Sequence, residues 1–114
     1  MITAKQINSL TKAIDKFNAD LAAYKKASGD TELPYVDCTC CGYSMAAPYY
    51  YELFKDNRLN VKDIDGQQYT VTNEEGLAEV KESLRYDKRR LAKAWRVFKS
   101  DNPDWELEHD TDEN

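Results

Sequence analysis

Apolar residues along the first quarter of the chain recur at Ile7, Leu10, Ile14, Phe17, Leu21 and Tyr24, alternating steps of three and four. That rhythm puts all six on one stripe of an α-helix and predicts a helix over about 3–27. Thr3 with Gln6 three residues later forms the sequence signature of a capping box, and Ile2 and Ile7 stand where a hydrophobic staple closes over the helix start. Ser28-Gly29 supplies the stop, because glycine tolerates the left-handed conformation in which many helices end.

The same rhythm returns in Leu77, Val80, Leu84, Asp87, Leu91, Ala94 and Phe98, predicting a second long helix over about 73–100. It starts at Thr72 or Asn73, with Thr72 and Glu75 offering another capping box, and Asn102-Pro103 ends it. Asp87 interrupts the apolar seam. An acid there requires a lysine or a tyrosine hydroxyl as partner, or an exposed position. Two seams of similar length suggest an antiparallel helix pair, with Tyr86 and Trp95 flanking it.

Between the helices the period changes to two. Leu59 and Val61 precede Asp65-Gly66, and Tyr69 and Val71 follow it, which predicts a β-hairpin over about 58–71. Pro48 suits the first position of a short helix over 48–56, closed by Asp56-Asn57-Arg58. The predicted class is therefore α+β, mainly α: one globular domain over 1–100 and an acidic tail over 101–114. Low hydrophobic content makes the tail a mobile segment, with Trp105 and Leu107 as anchors.

Length and composition add limits. At 114 residues and 41 % hydrophobic content the chain can bury one modest core. No apolar run approaches the roughly 20 residues needed to span a bilayer, and the N-terminus lacks a signal-peptide pattern, so a cytoplasmic protein with no membrane partner is expected. Its three cysteines include the neighbours Cys40 and Cys41, which fits a reducing compartment. The net charge of −5 conceals four blocks: +2 over 1–30, −6 over 31–80, +6 over 81–99 and −7 over 100–114. Such segregation bears on association and steering, not on fold.

Candidate chemistry concentrates in Pro34 to Tyr51, which holds every cysteine and five of the eight tyrosines. Cys38-x-x-Cys41-Gly42 resembles one knuckle of a zinc ribbon. A structural zinc needs four ligands: within one chain the further donors are Cys40, an awkward neighbour of Cys41, and His109 in the acidic tail, while in a homodimer two protomers could each contribute Cys38 and Cys41 to one site. Without metal these cysteines act as small hydrophobes, and no cofactor is expected. A thiol oxidoreductase would need a helix starting at the first cysteine, and a nucleophilic hydrolase would need a base near it; neither is visible.

Tyr35, Tyr43, Tyr49, Tyr50 and Tyr51, with Arg58, form a candidate partner-binding surface. Tyrosine is enriched at interfaces, and three consecutive tyrosines on a helix cannot all be buried. Arg85, Arg89, Lys93 and Arg96, at helical spacing beside Trp95, form an alternative phosphate-contacting stripe, against which stands the acidic whole. The sequence reading is a small non-enzymatic protein that binds another protein. Its size, acidity and lack of a catalytic set fit a phage or mobile-element inhibitor of a host enzyme or defence system. A nucleic-acid-binding module and a zinc-bridged assembly protein are the alternatives.

Overall fold

In the computed structural model, residues 2–29, 32–33, 44–45 and 47–105 are described. Helix α1 covers Ala4–Ser28 and helix α2 covers Glu74–Asp101. Strands β1 (Glu32–Leu33) and β2 (Ser44–Met45) form a small antiparallel pair, and β3 (Tyr50–Leu53), β4 (Leu59–Lys62) and β5 (Gln68–Val71) form an antiparallel sheet in the order β3-β4-β5. The class is α+β, mainly α.

Local chemistry sets the helix ends. The Thr3 hydroxyl accepts from the Gln6 amide at 3.1 Å, while the Thr3 amide donates to Gln6 Oε1 at 2.8 Å, completing the expected capping box. Gly29 closes α1 at φ 77°, in the left-handed region. At α2 the expected Thr72–Glu75 box gives way to Asn73, whose side chain accepts from the Gly76 amide at 2.9 Å. Asparagine caps as well as threonine, so the helix start moves on by one residue and the amide satisfied is that of Gly76 instead of Glu75.

Both predicted seams are buried except for Phe98, which is half-buried. Ile7, Leu10, Ile14, Phe17, Leu21 and Tyr24 of α1 meet Leu77, Val80, Leu84, Leu91 and Ala94 of α2, and Leu59, Val61 and Val71 of the sheet close the same core. In direction the pair departs from expectation. Near the end of α1, Tyr24 stacks edge-on against Trp95 and Phe98 near the end of α2, at 5.4 and 6.4 Å. Two turns earlier Phe17 stacks on Tyr49, whose hydroxyl reaches Ser83 and Asp87. The helices therefore run the same way. A short loop would have enforced antiparallel packing; here residues 29–73 intervene and the sheet sets the direction.

The segment 48–56, expected as a short helix, contains strand β3 instead. Tyr50 to Leu53 pair with Lys62 to Leu59 in register. Pro48 does suit a first helical turn, yet β-favouring Tyr50 and Tyr51 lie beside an open edge of β4, and ladder bonds there outweigh a short isolated helix. The hairpin stands where it was expected, lengthened by Asp63, whose Oδ1 accepts from the Asp65 and Gln67 amides at 2.9 Å each, and with Gly66 at φ 89°.

No helix among the described residues is long and apolar enough to cross a membrane. Beyond α2, Trp105 packs on Trp95 and Phe98 at ring distances of 5.3 and 5.4 Å, which fixes the start of the acidic segment to the end of the helix pair.

Candidate functional site

Of the six residues expected at a partner surface, Tyr35 and Tyr43 lie outside the described residues, as do Cys38 and Cys41. Tyr49 is core: its ring is buried, and its hydroxyl bonds Asp87 Oδ2 at 2.5 Å and Ser83 Oγ at 2.8 Å. It is withdrawn from any surface role, because the chain enters the sheet here beneath α1. Arg58 lies over the Phe54 ring at 4.4 Å and 3.9 Å from Asp56, folded into the β3–β4 turn. Tyr50 and Tyr51 are exposed, at 60 % and 39 %, and Leu53 joins them at 52 %.

The backbone of β3 explains what these side chains border. Phe54 donates its amide to the Arg58 carbonyl at 2.8 Å, and paired positions in an antiparallel ladder alternate between bonded and non-bonded. From the register, Tyr50, Glu52 and Phe54 turn their backbone groups toward β4, and Tyr49, Tyr51 and Leu53 turn theirs away. Asn18 of α1 takes both groups of Tyr49. Its Nδ2 donates to the Tyr49 carbonyl at 2.9 Å and its Oδ1 accepts from the Tyr49 amide at 2.8 Å, as a neighbouring strand would. Among the described residues no backbone partner faces Tyr51 or Leu53.

Side chains follow the pleat. Tyr51 and Leu53 share the face of buried Val61 and Leu59, but on the edge strand, where both are exposed. There Tyr51 donates its hydroxyl to Asp15 of α1 at 3.1 Å. Tyr50 and Glu52 share the outer face with Lys62 and Asn60. An open cavity of about 340 Å³ lies over Tyr50, Tyr51, Glu52, Asn60, Lys62 and Gln68.

Deeper in the protein, a polar cluster joins the sheet to α2. Asp87 accepts from Tyr49 and from Arg90 Nη1 at 2.9 Å, and Ser83 donates onward to Asp63 Oδ2 at 3.2 Å. Burial pushes the Asp87 carboxyl up to about 6, against the lowering by the Tyr49 hydrogen bond and by Arg90. Burial and the bond to Asp87 also raise Tyr49. Arg90 Nε and Nη2 are buried without a hydrogen-bond partner among the described residues. No group of three or more His, Cys, Asp or Glu able to hold a metal occurs among the described residues.

The alternative stripe runs along α2. Arg85, Arg89 and Arg96 are exposed on the outer face of α2 with Lys81 and Lys88, while Lys93 is half-buried. Arg85 is drawn onto Glu82 at 2.7 Å.

Leu53, Glu52 and Asn18 were missed as site residues. Alternation of Tyr51 with Leu53 was available as a strand signal and was masked by Pro48. Asn18, on the flank of a helix seam, carried no signal at all. No family model matches the chain, and neither a curated protein nor a solved structure matches it.

Proposed function

We propose that this is a non-enzymatic intracellular protein that binds another protein by accepting an extended segment as a further strand beside β3. The outward backbone groups of Tyr51 and Leu53, which have no backbone partner among the described residues, carry the reading. Proteins normally blunt an open sheet edge with charges, prolines or bulges; β3 keeps one acid between exposed Tyr51 and Leu53. An edge left in that state fits strand addition, in which main-chain bonds give affinity and alternating side chains give selectivity. Inhibition of a host enzyme by a phage or mobile-element protein is the biological role with which this reading is most compatible.

The test uses the full chain as bait against a defined partner, once one is found by cross-linking from position 50. Tyr51→Lys with Leu53→Lys should abolish capture while circular dichroism and melting stay near wild type, since both side chains already meet water. Capture that survives the double variant sinks the reading.

A nucleic-acid module is the second reading, favoured by the exposure of Lys81, Arg85, Lys88, Arg89 and Arg96 on one helix face. Under it, oligonucleotide binding weakens steeply with salt and falls in Arg89→Glu. Under the first reading the full chain binds oligonucleotides negligibly.

A further inference from the structure

We infer that the segment captured by β3 is antiparallel to it and carries the pattern apolar, Lys or Arg, apolar, with the basic residue opposite Glu52; this rests on the proposed use of that edge.

The length of the pattern follows from which groups are free. Asn18 occupies the outward groups of Tyr49, and beyond Leu53 the chain turns at residues 55–57. Among the described residues two edge positions remain, Tyr51 and Leu53. In an antiparallel ladder each exchanges two hydrogen bonds with the residue facing it, so a three-residue segment satisfies all four groups. On the helix side the facing residues meet the Tyr51 ring, held by Asp15, and the exposed Leu53, and must be apolar to bury them.

On the outer face the middle residue meets Glu52. Glu52 forms no ion pair among the described residues, and its neighbour in register on β4 is the neutral Asn60. A carboxylate at cross-strand distance selects an opposite charge and rejects a like one. The exposed Tyr50 stands next along the same face and covers the aliphatic stem of a lysine or arginine there.

The same geometry argues against a second copy of this chain. Twofold pairing that uses both free residues sets Tyr51 against Leu53 of the other copy and, between them, Glu52 against Glu52. Sliding the register to centre on Tyr51 requires the Tyr49 groups that Asn18 holds. Sliding it to centre on Leu53 requires Lys55, which is already in the turn. Glu52 therefore blocks self-association while it selects a basic partner.

The experiment titrates two blocked pentapeptides, Thr-Val-Lys-Val-Thr and Thr-Val-Glu-Val-Thr, into the isotope-labelled full chain and follows backbone amide shifts. The lysine peptide should move the Tyr51 and Leu53 amides and bind roughly five-fold more tightly than the glutamate peptide, the size of one cross-strand charge pair. Glu52→Lys should reverse the order. Equal binding of the two peptides, or an unchanged order in Glu52→Lys, overturns the charge selection and leaves strand capture standing. Silence of both amides toward both peptides overturns strand capture as well. Sedimentation of the wild-type chain as a dimer that Leu53→Lys dissolves assigns the edge to a second copy and overturns the inference.

Discussion

The Tyr49 hydroxyl donates a 2.5 Å hydrogen bond to Asp87 Oδ2, tying the residue that leads into β3 to the acid on the buried face of α2. Both residues are 1 % exposed. Arg90 Nη1 binds the other oxygen of Asp87, and the carboxylates of Asp63 and Asp65 stand nearby, Asp65 at 3.6 Å from Arg90. The cost of burying one charge is thus shared by two donors, and the position of β3 over the helices depends on it.

Asp87 should give the protein an unusual response to pH. Its carboxyl, ordinarily near 3.8, is held at about 6 in the folded state. A raised pKa contributes stability that is complete below the unfolded value and is lost as pH rises through the folded one. Between about pH 4 and 6 the site should lose on the order of 3 kcal/mol, at 1.36 kcal/mol per pKa unit. Asp87→Asn should remove that slope. The check is the difference between wild-type and variant urea midpoints across the interval; parallel curves would show that Asp87 titrates normally.

Asn18 substitutes for a strand at Tyr49, the outward-facing residue that leads into β3. Asn18→Ala leaves the Tyr49 amide and carbonyl without their partners and should cost about 1 to 3 kcal/mol. Hydrogen exchange gives the finer readout. In the wild type the Tyr49 amide should exchange slowly and the Tyr51 and Leu53 amides fast, and the variant should bring Tyr49 to the fast class.

Gly76 is required by close packing, not by its backbone angle. A Cβ placed there would lie 2.9 Å from the Thr70 carbonyl oxygen and 3.3 Å from Val71 Cα. Alanine gains about 1 kcal/mol of helix propensity but must push β5 from α2, and such overpacking costs about 1 to 3 kcal/mol. Gly76→Ala should therefore melt below wild type. An equal or higher melting temperature would mean that the contact relaxes freely.

Leu84 and Leu91 are each 4 % exposed on the seam of α2. Either one changed to alanine should cost about 2 to 5 kcal/mol, a large share of a small domain's stability, read from denaturant midpoints. Tyr86→Ala, at a 38 % exposed position of the same helix, should cost clearly less.

Sequence alone determined the parts that depend on neighbours along the chain. The seams of α1 and α2, the Thr3–Gln6 box, the Gly29 stop and the Asp65-Gly66 hairpin are all local, because hydrogen bonds and periodicity within a few residues specify them. The need of Asp87 for a partner was also legible, with a tyrosine hydroxyl among the expected kinds. Which tyrosine, and the common direction of the helices, were not: Tyr49 stands 38 positions from Asp87, and only folding brings them together. Likewise the order β3-β4-β5 turned the Pro48 segment from an expected helix into an edge strand, since a strand's worth depends on a neighbour supplied from elsewhere. The candidate site is a tertiary product for the same reason. Tyr50 and Tyr51 could be named from composition, but the open edge exists because Asn18 of α1 closes Tyr49 and reaches no further.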